Sequence, residues 1–201
     1  MNLKIIERGD NKIEFNVSGI DVSLANALRR IVISEIPTMA MEEIIFHENF
    51  SILNDEALAL RLGLIPLKTD LRNYNLVSEC SCKGEGCAKC TAVLTLNIKG
   101  PGTVYSRDLK STDPKIMPVH GNIPLVKLTE TQGIKLEAKA QLGVGKKHTK
   151  WQSGLASYAI KEDESFDFFI ESFGQFEIPD LIDTAFDVFN RKIKDMEDAL
   201  K

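Results

Sequence analysis

The chain has 201 residues with an ordinary apolar share of 43%, enough to bury a real core in one large domain or two small ones. Its formal charge of -4 gives no broad attraction to phosphates, so any nucleic-acid contact would need a local basic patch. Charges interrupt every apolar run near the amino end, and no later run approaches the roughly 20 apolar residues of a membrane span. The expectation is a cytoplasmic protein with no membrane segment and no dedicated nucleic-acid surface.

In chain order, Lys12 to Val17 alternates with Ile13, Phe15 and Val17 on one face, the period of a half-buried strand. Leu24, Leu28, Ile31 and Val32 then recur at helical spacing, with Asp21 placed to cap the helix and Pro37 to stop it. A strand is expected from Ala40 to Phe46. The stretch NDEALALRLGLIPL predicts a short helix capped by Asn54 or Asp55, closed by Gly63 in the left-handed conformation and barred from resuming by Pro66. Alternation returns at Thr91 to Ile98 and Ile134 to Ala140, separated by segments rich in Gly and Pro, which predicts a β-rich middle with long connections. A strand at SFDFFIES and a long helix from about Pro179 or Asp180 complete the chain. Helix and strand flanking a β-rich middle point to an α+β protein whose middle is inserted in a discontinuous outer domain.

All four cysteines lie in CSCKGEGCAKC, as Cys80, Cys82, Cys87 and Cys90. In a reducing compartment such a cluster reads as metal ligands rather than disulfides. Four sulfurs from one loop match the tetrahedral preference of zinc, and Gly84 and Gly86 allow a tight reversal between the pairs. The same thiolates could also hold an iron–sulfur cluster, which is placed behind zinc, and a closed four-cysteine site performs no catalysis by itself. The rival is a redox pair of Cys87 and Cys90, which usually sits in a strand-to-helix turn, whereas a strand follows here.

In the last helix, Ile182, Phe186, Phe189, Ile193, Met196 and Leu200 are spaced as a seam packed along another helix. Either a partner or the protein's own sheet could receive it, and spacing does not choose between them. Arg29 and Arg30 on the first helix suit a solvated face on residues alone, or bidentate pairing with a partner's carboxylates. GVGKKH is no phosphate loop, because Lys147 stands where Ser or Thr is needed and Ala140 where the first Gly belongs. Lys146, Lys147, His148 and Lys150 could alternatively serve a free-standing zinc module that binds nucleic acid, though no aromatic stacking platform adjoins them. His47, His120 and His148 are scattered, no nucleophile is paired with a base, and no catalytic residue is assigned.

Taken together, DVSLANALRRIVISEIPTMAMEEI, ALALRLGLIPL, AQLGVGKKHTKW and FFIESFGQFEIPDLIDTAFDVFNRKI resemble, in order, the segments of one family of RNA polymerase subunits. That family includes the archaeal D subunit, the third-largest subunit of eukaryotic polymerase II and the amino-terminal domain of the bacterial alpha subunit. The resemblance implies a non-catalytic assembly subunit of a DNA-directed RNA polymerase. It further implies a dimerisation domain of residues 1–46 and 155–201 with a β-rich domain of residues 47–154 inserted. By the same resemblance, Leu24, Leu28, Arg29, Arg30, Ile31 and the seam of the last helix form an interface with a small L subunit, with Arg29 and Arg30 matching paired arginines that serve either the interface or a buried ion pair. The second-largest subunit and the small N and P subunits assemble on that pair, and a zinc loop falls at the four cysteines. One feature departs from the family. Trp151 is followed by too short a run for the iron–sulfur domain that many archaeal members carry, so its clusters are not expected.

Overall fold

The computed structural model describes residues 1–201. In chain order its elements are β1 (Asn2–Arg8), β2 (Lys12–Ser18), α1 (Val22–Ser34), β3 (Thr38–Asn49), α2 (Asp55–Gly63), β4 (Thr91–Lys99), β5 (Gly102–Tyr105), β6 (Lys110–Ser111), β7 (Pro124–Leu128), β8 (Gly133–Gly143), β9 (Gly154–Ile160), β10 (Phe166–Ser172) and α3 (Ile178–Ala199). This is the expected α+β class. The chain divides into two compact units, Met1–Ile36 with Val144–His148 and Gln152–Lys201, and Pro37–Gly143 with Thr149–Trp151. The division falls before Pro37 rather than after Phe46. The cause is β3, which pairs with β8 along its length, from Thr38 opposite Gly143 to Asn49 opposite Ile134.

The first unit holds an antiparallel sheet in the order β1-β2-β10-β9 together with α1 and α3. Alternation places Ile13, Phe15 and Val17 of β2 beside Phe166, Phe168 and Ile170 of β10, and all six are buried. Phe15 and Phe168 are cross-strand partners whose rings stack at 5.1 Å and 4°. Asp21 caps α1 as expected, its carboxylate accepting the Leu24 N–H at 2.8 Å. Pro179 sits in the first turn of α3, where its missing N–H leaves no bond unmade. β1 has no signature in the sequence, because all of its residues are exposed and it has no buried face to read.

In the second unit the sheet runs β3-β8-β4-β6 and a two-stranded ladder joins β5 to β7. Met41, Leu58, Leu62, Leu94, Leu136 and Ala140 are among the buried residues of its core. Asn54 caps α2 by accepting the Ala57 N–H at 3.2 Å. Gly63 does not end this helix in the left-handed conformation. It remains helical and buried, Leu64 follows at φ -84°, and the Leu64 and Ile65 N–H groups bond back to the Leu60 and Leu62 carbonyls before Pro66 stops the helix. Gly143 is needed for a different reason. A Cβ there would lie 2.4 Å from the buried Trp151 ring, whose Nε1–H donates to the Gln141 carbonyl at 3.2 Å. Gly143→Ala should therefore destabilise this unit by about 1–3 kcal/mol through overpacking, read as a lowered denaturant midpoint. An unchanged midpoint would show that the ring can yield.

Candidate metal centre and interface helix

The cysteine loop enters the second unit's sheet at Thr91, the first residue of β4. Two turns build it. The Lys83 N–H donates to the Cys80 carbonyl at 3.0 Å and the Glu85 N–H to the Cys82 carbonyl at 3.2 Å. Lys83, Gly84 and Gly86 take φ of 54°, 94° and 81°, the left-handed region in which glycine is at ease. On the other side the Cys87 carbonyl accepts the Cys90 and Thr91 N–H groups at 2.9 and 2.8 Å, while the Cys87 N–H donates to Cys90 Sγ at 3.2 Å. The Asn75 N–H, donating to the Lys89 carbonyl at 2.8 Å, ties the loop to the incoming chain.

These turns bring all four sulfurs within 4.8 Å of one another. Cys80 to Cys87 and Cys82 to Cys90 are each 3.6 Å apart, and Cys87 to Cys90 is 3.9 Å. A tetrahedron with metal–sulfur bonds of about 2.3 Å has edges of about 3.8 Å, so the set fits a four-cysteine metal site. The Gly84 N–H foremost, then Cys80, the Gly86 N–H and Cys90, hold the Cys82 thiol down at about 6, against a smaller opposing effect of burial. A strand rather than a helix follows Cys90, which fits a closed site better than a redox pair.

Asp70 organises the turn that leads into this loop. Its carboxylate accepts from the Arg72 N–H at 3.0 Å, Asn73 Nδ2 at 2.7 Å and Lys115 Nζ at 3.0 Å. Burial raises its pKa, but Lys115, Asn73 and the Arg72 N–H together outweigh that and hold it at about 2, below the ordinary 3.8. Nearby, burial and then Asp113 push the Tyr74 phenol up to about 12, so it stays a donor to Asp113 at 2.8 Å. Because the folded value of Asp70 lies below the unfolded one, its contribution is complete above pH 3.8 and is lost as pH falls towards 2. Asp70→Asn should cost on the order of 1 kcal/mol at neutral pH. Denaturant melts taken down through that window should show the gap closing, and a constant gap would contradict the assignment.

On α3 two neighbouring apolar stripes are present. Ile178, Leu181, Ala185 and Val188 are buried within the first unit. The predicted seam lies beside them. Ile182 and Phe189 are half-buried, while Phe186, Ile193, Met196 and Leu200 are 48%, 43%, 67% and 86% exposed. The burying stripe escapes a reading of the sequence because small Ala185 is a weaker signal than Phe186. On α1, Leu24 is exposed, Leu28 half-buried and Arg30 exposed, whereas Ile31 is 4% exposed and serves the unit's own core rather than a partner surface. Arg29 donates to Asn26 Oδ1 through Nε at 3.3 Å and Nη2 at 2.9 Å.

Others of the sequence candidates are engaged locally. The Lys146 N–H donates to the Ser34 carbonyl, and Lys150 is engaged by Glu42 and the Met41 carbonyl. His47 pairs with Glu137 at 3.3 Å, and the His120 carbonyl accepts from Ser106.

A family model described as the RNA polymerase Rpb3/RpoA insert domain matches residues 44–166, the stretch that contains all four cysteines. The chain belongs to this family. Among curated relatives of this Rpb3/RpoA insert-domain protein, the DNA-directed RNA polymerase subunit Rpo3 of Methanosarcina mazei is 48% identical over 157 residues, 78% of this chain and 59% of the relative. The subunit Rpo3 of Pyrococcus furiosus is 44% identical over 158 residues, 79% of this chain and 58% of the relative. That of Thermococcus kodakarensis is 46% identical over 158 residues, covering 79% and 59%. The chain thus spans somewhat less than two thirds of the length of the curated relatives it matches.

Proposed function

We propose that this chain is a non-catalytic assembly platform within a DNA-directed RNA polymerase built from many subunits. The first unit heterodimerises with a small L-type subunit through the exposed stripe of α3 and the Leu24, Leu28, Arg29 and Arg30 region of α1. The second-largest subunit and the small N and P subunits bind to that pair, and nucleotidyl transfer belongs to the assembled enzyme in the cytoplasm. The observation that carries the reading is the doubled stripe on α3. Its own fold is satisfied by Ile178, Leu181, Ala185 and Val188, and of the adjacent seam Ile182 and Phe189 are only half-buried while Phe186, Ile193, Met196 and Leu200 stay exposed. Full burial of one such side chain contributes roughly 1.5–3 kcal/mol, and covering the exposed parts of four of them together favours a partner helix. The family match and the named relatives support the polymerase setting.

In this reading Cys80, Cys82, Cys87 and Cys90 hold one zinc, whose binding orders the loop ahead of β4. A closed set of four thiolates leaves no position for substrate, so its contribution is to shape. No helix is long and apolar enough to cross a membrane. Affinity purification of the tagged chain from its native cells, with mass spectrometry and metal analysis of the eluate, tests both parts. Large polymerase subunits, an L-like partner and about one zinc per chain are expected. Recovery of the chain alone, or with nucleic acid and no polymerase, would sink the assembly reading.

A further inference from the structure

We propose that Cys82 is the oxidation-sensitive ligand of the cysteine centre, and that its oxidation by a peroxide leads to a Cys82–Cys90 disulfide that releases the metal. This rests on the four cysteines holding zinc. The ligands are not equivalent. Cys90 and Cys80 are 0% and 6% exposed, so solvent reaches mainly Cys82 and Cys87. Cys87 belongs to the anchored half, its carbonyl bonded to the first residue of β4 and the neighbouring Lys89 carbonyl tied to Asn75. Cys82 belongs to a half whose turn bonds close only on Cys80 and on itself. Lys83 to Gly86 are exposed, and a Cβ at Gly84 would meet nothing within 4 Å. A small oxidant can approach that half of the loop without displacing the sheet.

Coordinated cysteines are thiolates, and a thiolate is the species that two-electron oxidants attack. The Cys82 sulfur attacks one peroxide oxygen, an S–O bond forms as the O–O bond breaks, and hydroxide departs to take a proton from solvent. Cys90 Sγ, 3.6 Å away, then attacks the oxidised sulfur. The S–S bond forms, the S–O bond breaks, and the second hydroxide leaves as water on protonation. Two thiolates have lost two electrons and one peroxide has become two waters. Only Cys80 and Cys87 then remain as thiolates, too few for a structural four-ligand zinc site. The Cys80–Cys87 pair, at 3.6 Å, and the Cys87–Cys90 pair, at 3.9 Å, are the competing products.

The test uses the full chain loaded with zinc and exposed to small increments of hydrogen peroxide. Zinc release is followed with a chromogenic chelator, sulfenic acid is trapped with dimedone, and cysteine peptides are mapped with and without reduction. The first modification should fall on Cys82, a Cys82–Cys90 disulfide should accumulate with one zinc released for each, and reduction should restore zinc uptake. Cys82→His offers a nitrogen ligand with no oxidisable sulfur and should release zinc about tenfold more slowly. First modification at any other cysteine, a disulfide mapped to any pair other than Cys82–Cys90, or unslowed release from Cys82→His overturns the inference. Failure to take up zinc appears in the metal analysis before peroxide is added, and would remove the zinc reading together with this one.

Discussion

Cys87→Ser is expected to empty the metal centre and unfold the loop around it while leaving α1 and α3 folded. Cys87 is the cleanest ligand to replace, because its side chain is only half-buried, whereas Cys90 is fully enclosed and serine there would also disturb packing. A serine hydroxyl is a poor zinc ligand at neutral pH, and three remaining sulfurs leave the tetrahedron open. The stake is large. Apparent zinc-binding free energies in small structural sites are roughly 10–16 kcal/mol at neutral pH, and the loop has little else to hold it. Of the residues from Leu71 to Lys89, only Tyr74 and Cys80 are buried. Zinc content should fall from about one per chain to near zero. Hydrogen exchange should accelerate at Asn75, Lys83, Glu85, Cys90 and Thr91, whose N–H groups make the loop's backbone bonds. Amides of the first unit should be unaffected, and assembly with the polymerase should weaken. Retention of zinc and of that protection would mean that the loop is folded by its hydrogen bonds alone.

Much of this architecture is legible in the sequence, and the places where it is not have physical causes. Helix starts are readable at Asp21 and Asn54 because an N-cap is a local bond between a side chain and a backbone N–H three residues on. The cysteine cluster is readable because its four sulfurs come from one short loop and need no tertiary information to be brought together. β2 and β10 are readable because each has one buried face and shows period-two alternation. β1 and β9 are mostly exposed, and β5 and β6 are too short to show a period, so pattern carries no signal there. The end of α2 misleads at Gly63 because a glycine near a helix end resembles a left-handed cap, while Pro66 alone suffices to stop the chain. Ile31, buried in the chain's own core, misleads because a resemblance places a residue on an interface helix without saying which of that helix's faces its side chain occupies.

The same ambiguity makes α3 the decisive place to test the interface. Phe186→Asp with Ile193→Asp should abolish pairing with the L-type subunit while leaving the chain folded. Both side chains are nearly half exposed, at 48% and 43%, so carboxylates there can be solvated in the free chain. In a heterodimer they would be driven into an apolar seam. Each side chain is already about half buried in the free chain, so losing the rest of their burial removes roughly 1.5–3 kcal/mol, and two carboxylates left without partners add about 1–3 kcal/mol each. That corresponds to at least about a hundredfold weaker association. Co-expression with the small subunit, followed by sedimentation of the purified material, reads the loss, and the far-ultraviolet circular dichroism of the variant should match the parent. Ala185→Asp is the matching control on the neighbouring stripe. Ala185 is 0% exposed, so a charge there should unfold the first unit rather than merely uncouple a partner. If the doubly substituted chain pairs with parental affinity, the exposed stripe is not the interface. If Ala185→Asp folds normally, the two stripes have been assigned to the wrong roles. A chain that loses its partner but keeps its fold, beside one that loses its fold outright, is the result that requires α3 to serve two surfaces at once.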